Sequence, residues 1–377
     1  MTRSLSHPVA DPVSAGVDPA RLDVLLRRIR LEVESGALPS AQVAVARNDL
    51  LVAFETYGDA SRGSRYVLQS TGRPVVAGLI WKLVGDGELR VDERVAEIIP
   101  EFGTNGKDVV TVEQVLTHTA GFPLAPLGYP AMLDRDDRLA AMASWRLAYE
   151  PGGRLEYHLT SAAWVIAELV ERRGKKPIGD YLRDEIARPL GLGSLELGVP
   201  VDRQHDIAPF TLMGASEGEQ KIDPWGPWFM GDPRIIAAGE PSHALVGSAV
   251  DLVLYYQALL HSDLWSRAAL EEGTRPRFTG VPHGDKLYGG DTRPVTMGLF
   301  VTLRGETPSN GSWMPITSSP GTFGHGGAAS QLGFLDPETG VSFAMLSNGY
   351  PASGYDYTRL GENRITNIGN LAADLIG

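Results

Sequence analysis

The chain has 377 residues, 34 Lys and Arg against 46 Asp and Glu for a net charge of −12, and no cysteine. An apolar share of 43% with 21% charged residues is ordinary for a folded protein and excludes a mostly disordered chain. The missing cysteines exclude a disulfide scaffold, a cysteine nucleophile, a thiolate zinc site and an iron–sulfur cluster together.

The acidic balance argues against a nucleic-acid partner, because phosphate contacts need clustered Lys and Arg. Eight histidines are scattered without an HExxH pattern, so no metal and no cofactor are expected. Residues 1–18 carry Pro and Ser without an apolar segment and read as a flexible leader rather than a signal peptide. No run approaches the roughly 18 apolar residues of a membrane span. The expectation is a cytoplasmic protein without a membrane partner, its oligomeric state left open.

In chain order, residues 19–35 set Leu22, Val24, Leu25, Leu26, Ile29 and Leu31 between arginines and acids, which predicts an amphipathic helix. Residues 42–47 alternate like a strand, Asn48-Asp49 turns, and residues 50–56 read as the hairpin partner. Residues 75–84 predict a strongly apolar helix ended by Gly85-Asp86-Gly87. Pro74 fits its first turn, where a missing N–H costs nothing.

The middle reads as helical, over residues 91–99, 111–116, 140–147, 161–173 and 177–187. The second of these is announced by the capping pattern Thr111-x-x-Gln114. Residues 199–241 read as long surface loops, and 248–260 as another helix. Strands return at 296–303, 322–325, 330–335 and 341–346, the last two joined by the turn 336–340, and 367–376 closes as a helix. This order predicts an α/β unit over 19–69 and 290–377, built from both chain ends, with a mostly helical insertion at 70–289.

Three elements could carry chemistry. Ser70 opens the buried apolar helix, where the N-terminal dipole favours developing negative charge; an ordinary helix cap is the competing reading. Tyr157 follows the turn Glu150-Pro151-Gly152-Gly153 just before a long helix, and a packing role competes there. Phe323-Gly324-His325-Gly326-Gly327-Ala328 ends a strand with glycines dense enough to admit a ligand against the backbone.

Together these resemble the serine β-lactamase and penicillin-binding-protein superfamily, and within it the esterase branch similar to class C β-lactamases. The resemblance runs from about residue 20 to 375 in the family's order. It includes Thr117-His118-Thr119-Ala120-Gly121, Arg188-Pro189-Leu190-Gly191 and Asp336-Pro337-Glu338-Thr339-Gly340. It implies an antiparallel sheet flanked by helices, with Ser70 as the nucleophile of Ser-x-x-Lys and Tyr157 as the tyrosine of Tyr-x-Asn. His325-Gly326-Gly327 then matches the Lys-Thr-Gly or His-Gly-Gly strand, and the backbone N–H groups of Ser70 and Ala328 correspond to the oxyanion hole. His325 would line the site, either orienting substrate or serving structure.

Two positions depart from the family's pattern. Arg73 stands where the family has its lysine, and an arginine has no deprotonated form at neutral pH with which to shuttle a proton. A fixed cation beside Tyr157 still favours negative charge on the phenol, which makes tyrosine the general base. Leu159 replaces the motif's Asn and weighs against β-lactam turnover. His158 reads as either a pH-sensitive neighbour of the site or a capping residue, and His118 as a source of structural hydrogen bonds. Trp225, Trp228 and Phe229 read either as an acyl-pocket wall or as packing.

The leading expectation is a hydrolase of a small ester or amide through an acyl-Ser70 intermediate. A biosynthetic acyl-transfer or non-hydrolytic enzyme, and a binding protein that has lost turnover, are the competing readings. All depend on residues 70, 157 and 324–328 converging on one cleft that solvent reaches.

Overall fold

The computed structural model describes residues 8–213, 231–283, 294–308, 313–328, 330–351, 361 and 363–376. Helix α1 (Pro19–Glu34) leads into the hairpin β1 (Ser40–Arg47) and β2 (Leu50–Gly58), then β3 (Tyr66–Val67). A 3-10 turn (Gln69–Gly72) runs directly into α2 (Arg73–Gly85). The helical middle comprises α3 (Val95–Ile98), α4 (Val112–Leu116), α5 (Arg135–Ser144), α6 (Ser161–Gly174) and α7 (Ile178–Leu182). Next come β4 (Thr211–Met213), α8 (Pro233–Ala238), β5 (Val246–Gly247), α9 (Ala249–His261) and α10 (Arg267–Thr274). The C-terminal part holds β6 (Phe278–Gly280), β7 (Val295–Met297), β8 (Thr302–Leu303), β9 (Phe323–Gly327) and β10 (Gln331–Asp336). It ends with β11 (Val341–Ser347), β12 (Gly349–Pro351) and α11 (Asn363–Ala373).

Eight strands make one antiparallel sheet in the order β2-β1-β11-β10-β9-β8-β7-β6. The N-terminal β1 pairs with β11 in the register Val43↔Met345, so strands from the two chain ends lie side by side in the sheet. Strand alternation sorts the two faces. Val43 and Val45 pack with Leu22, Leu25 and Ile29 of α1 and Ile365 and Ile368 of α11. Ala44, Ala46 and Ala344 face the opposite layer, which contains α2 and α9. Small residues on that face let α9 come close: a Cβ added at Gly333 would lie 3.0 Å from Leu252.

Several local expectations shift. The helix expected at 91–99 is confined to α3, because the Val91 and Glu93 carbonyls accept the Glu113 and Val112 N–H groups at 2.8 and 3.0 Å. Those preceding residues form a turn that serves the start of α4, whose Thr111–Gln114 capping box is present as the sequence predicted. Helix α5 begins earlier than expected, at the Asp134 cap, and stops where Trp145 turns extended. The strand expected at 296–303 is two short strands, because Gly298 N–H donates to the Val301 carbonyl at 3.0 Å and Phe300 adopts φ 64°.

Within the stretch expected to be a flexible leader, Ala10 N–H donates to the Leu51 carbonyl at 2.8 Å, and Ala15 and Val17 are buried. Strand β6, from the segment read as the helical insertion, forms one edge of the main sheet. Among the described residues, no helix is long and apolar enough to cross a membrane.

Gly324 sits opposite Phe334 where β9 pairs with β10, and a Cβ there would fall 2.1 Å from the Gly333 carbonyl oxygen. Backbone on both sides leaves nothing to give. Gly324→Ala is therefore expected to cost about 3 kcal/mol, the upper end for an overpacked core position; the shift in urea midpoint at constant slope measures it.

Candidate active site

Apart from Arg73 and Lys82, helix α2 consists of apolar residues and glycine and is buried over most of its length, as befits a helix enclosed by other elements. Its position is fixed by close contacts. A Cβ on Gly78 would lie 2.0 Å from the Tyr255 hydroxyl, which donates to the Pro74 carbonyl at 2.9 Å. Ahead of the helix, Leu68 N–H donates to the Leu245 carbonyl at 2.8 Å, and Gly72 packs against the Leu245 side chain. Gln69 then adopts φ 48°, a left-handed conformation that costs a non-glycine residue energy. Ser70 follows within the 3-10 turn and stays partly open to solvent. It does not cap α2: the cap position is Gly72 and has no side-chain hydrogen bond.

Tyr157 arrives from 87 residues away, and its hydroxyl donates to Ser70 Oγ at 3.3 Å. His118 sets this reach. It adopts φ 58°, so that its carbonyl accepts the Glu156 N–H at 3.0 Å while its Nδ1 accepts the His158 N–H at 3.2 Å. These two bonds bracket Tyr157, whose ring lies 4.6 Å from the His118 ring between centroids. The structural hydrogen bonds expected of His118 thus have a specific object.

Arg73 is fully buried one helical turn from Ser70. Its guanidinium lies 4.6 Å from the Tyr157 ring centroid and 4.8 Å from that of Phe300, and it donates to the Leu159 carbonyl at 2.6 Å. Nε and Nη1 find no hydrogen-bond partner, and no carboxylate pairs with the group among the described residues. Two aromatic faces hold the charge in place of a counter-ion.

Strand β9 closes the third side. The His325 ring lies 6.1 Å from the Tyr157 ring, and its Nδ1–H donates to the Gly326 carbonyl at 2.6 Å. Gly327 abuts Thr71, the residue after Ser70: a Cβ there would lie 2.5 Å from the Thr71 hydroxyl oxygen. Gly326 is covered by Trp313, whose ring would stand 1.8 Å from an added Cβ. Ala328, half-buried, follows the end of β9 in a turn. Ser70, Tyr157, Arg73 and the 325–327 strand therefore meet in one place.

His158 does not join them. It is fully buried, its Nδ1–H donating to the Glu156 carbonyl at 2.6 Å and its Nε2 accepting the Phe122 N–H at 3.1 Å. Both ring nitrogens serve the backbone, so the substrate-facing role expected of it is withdrawn. Trp225, Trp228 and Phe229 lie outside the described residues. Phe300, Trp313 and Gln69 were not singled out by the sequence; only Gly298 inside an apparent strand hinted that the chain turns near Phe300. No cluster of three or more His, Asp or Glu able to hold a metal ion occurs among the described residues.

Burial, with the Arg73 cation adding to it, pushes His325 down to about 3 and holds His118 well below the ordinary histidine value. Burial also brings His158 to about 3 against the opposing Glu156 hydrogen bond. The unfolded chain protonates these rings below about pH 6.5, while the folded His158 and His325 refuse protons until about pH 3. Stability should therefore drop as pH falls through that window, by up to about 1.4 kcal/mol per pH unit for each histidine. Urea midpoints from pH 7 to pH 4 would show this slope, and His158→Gln should lessen it; a flat profile contradicts it.

The β-lactamase family model matches residues 25–364 of this chain. Esterase/beta-lactamase LipL of Mycobacterium tuberculosis is 27% identical over 76% of this chain and 70% of its own. Esterase EstB of Burkholderia gladioli is 25% identical over 92% of this chain and 95% of its own. The crystal structure of a penicillin-binding-protein homologue from Caulobacter crescentus superposes with a TM-score of 0.78 at 25% identity, covering 95% of this chain and 99% of that one. With a mixed fold built on one large antiparallel sheet and a family match across most of its length, this chain belongs to the beta-lactamase family.

Proposed function

We propose that the protein is a serine hydrolase that cleaves a small ester or amide through an acyl-Ser70 intermediate. The observation that carries this reading is the hydrogen bond between Tyr157 and Ser70 Oγ at the head of α2, beside a glycine strand and open to solvent. The esterase names of LipL and EstB support the ester over other acyl donors.

In this reading a Tyr157 oxygen that has released its own proton takes the Ser70 proton as Oγ bonds to the substrate carbonyl carbon. The tetrahedral oxyanion faces the Ser70 and Ala328 N–H groups and the helix N-terminus, donors worth several kcal/mol of barrier. Collapse breaks the bond to the leaving group, which takes the proton from Tyr157; water then attacks the acyl-serine by the same route. Arg73 shuttles no proton. Its uncompensated charge stabilises the negative charge that moves between Ser70, Tyr157 and the oxyanion, and its burial away from solvent strengthens that effect.

The same unpaired cation favours a second reading, in which the acyl group passes to a specific acceptor rather than to water. Intact-mass measurement after a fluorophosphonate tests what both readings share. A single adduct in the wild type, absent in Ser70→Ala, is expected. No adduct on the wild type would favour a binding protein that has lost turnover.

A further inference from the structure

Strand β9 carries a histidine with one ring nitrogen that serves nothing within the described residues. His325 keeps 6% exposure, and its Nδ1 lies 2.6 Å from the Gly326 carbonyl oxygen. Two acceptors cannot bond to each other, so Nδ1 bears the ring proton and Nε2 presents a lone pair. Nε2 makes no hydrogen bond among the described residues, and unlike Nε and Nη1 of Arg73 it is not sealed from solvent. Burial and the nearby Arg73 cation keep the ring neutral down to about pH 3, so Nε2 stays an acceptor at any ordinary working pH.

Strand alternation aims this acceptor at the site. Side chains two apart share a face of β9, and the Cβ direction of Gly327 leads to the Thr71 hydroxyl oxygen, next to Ser70. His325 therefore faces the Ser70 side, whereas Gly326 faces Trp313. The His325 ring lies 6.1 Å from that of Tyr157, whose hydroxyl bonds to Ser70 Oγ.

We propose that His325 is a specificity-determining residue whose Nε2 accepts a hydrogen bond from a hydroxyl or N–H carried by the leaving group of the substrate. The proposal rests on the reading of Ser70 as the acylated residue and of Tyr157 as the group that returns a proton to the leaving atom. That atom meets the Tyr157 hydroxyl, and two residues of strand span about 7 Å. A donor three bonds beyond the leaving atom, plus a hydrogen bond of about 2.8 Å, covers that span. An alkyl leaving group would strip water from Nε2 and offer nothing in return, and a carboxylate would set lone pair against lone pair. His325 takes no proton in this role.

The test compares 2-hydroxyethyl butanoate with its isostere propyl butanoate by acid release at constant pH, each kcat/KM divided by the ester's spontaneous hydrolysis rate. The wild type should favour the hydroxyethyl ester about tenfold or more, since a site built to bond a hydroxyl rejects the analogue lacking it. The ratio should hold between about pH 5.5 and 7.5, a window that brackets the ordinary histidine value. His325→Leu should bring it to within about twofold of unity, and His325→Gln, which keeps an acceptor, should retain part of it. Fluorophosphonate labelling of Ser70 verifies that each variant is folded at the site, and the labelled variant decides if the other fails to label. A wild-type ratio near unity, a ratio that follows the titration of an ordinary histidine, or a preference undiminished in the labelled variants would overturn the role of His325. Each of these leaves the acyl-serine reading standing. A wild type that neither labels nor hydrolyses either ester would overturn both.

Discussion

Tyr157→Phe is expected to lower kcat/KM for p-nitrophenyl acetate by about two to four orders of magnitude, the usual contribution of a positioned general base. The substitution removes one oxygen and keeps the ring that packs against His118 and under Arg73. Because Tyr157 is only half-buried, the unfolding midpoint should barely move. Ser70→Ala should lose at least as much activity. The loss in Tyr157→Phe should fall on kcat rather than KM, since the phenol serves the proton and not the binding of the ester. Retention of full activity in Tyr157→Phe would remove the base from the proposal, and the hydrolase reading would then need another one.

Arg73→Met should separate activity from stability. The charge is buried between two rings with two unpartnered nitrogens and no carboxylate among the described residues. Replacing a buried, poorly compensated charge with an apolar side chain of similar length is often neutral or stabilising. The lost hydrogen bond to the Leu159 carbonyl opposes that gain by about 1 kcal/mol. The unfolding midpoint is thus expected to hold or rise. Turnover should nevertheless fall about a hundredfold, or about 2.7 kcal/mol of barrier, because the backbone N–H donors then face the migrating negative charge without the fixed cation that supplements them. Arg73→Lys keeps the charge, gives up the planar contact with both rings, and restores a group that can release a proton one turn from Ser70. Generic ester hydrolysis should rise about tenfold. If it falls instead while a specific acyl transfer also disappears, the guanidinium has a role that an ammonium cannot fill.

Much of the architecture was readable because it is set locally. The α1 periodicity, the Thr111–Gln114 capping box, the Asn48-Asp49 hairpin and the apolar α2 depend on residues within a few positions of one another. The expectations that failed concern residues whose backbone groups answer to distant partners. Val91 and Glu93 gave up helical bonds to reach Val112 and Glu113. Phe300 broke a strand in two, with its N–H donating to the Leu116 carbonyl and its ring lying over Arg73. His158, next to Tyr157 in sequence, alternates away from it and spends both ring nitrogens on backbone atoms.

From residue order alone, this chain offered a serine ahead of an apolar helix, a tyrosine after a Pro-Gly turn and a glycine strand, each with a competing structural reading. Their resemblance to the serine β-lactamase superfamily, rather than residue type or short-range propensity, singled them out as candidates and set Arg73 at the lysine position of that family's motif. Tertiary structure decided that Tyr157 meets Ser70 across 87 residues, that His118 holds it there, and that Arg73 lies unpaired between two rings. It also left the amide of Gln69 buried without a hydrogen-bond partner. Those outcomes depend on how α2, the 150–158 segment and β9 pack around one another, and packing is a property of the whole chain that no local pattern encodes.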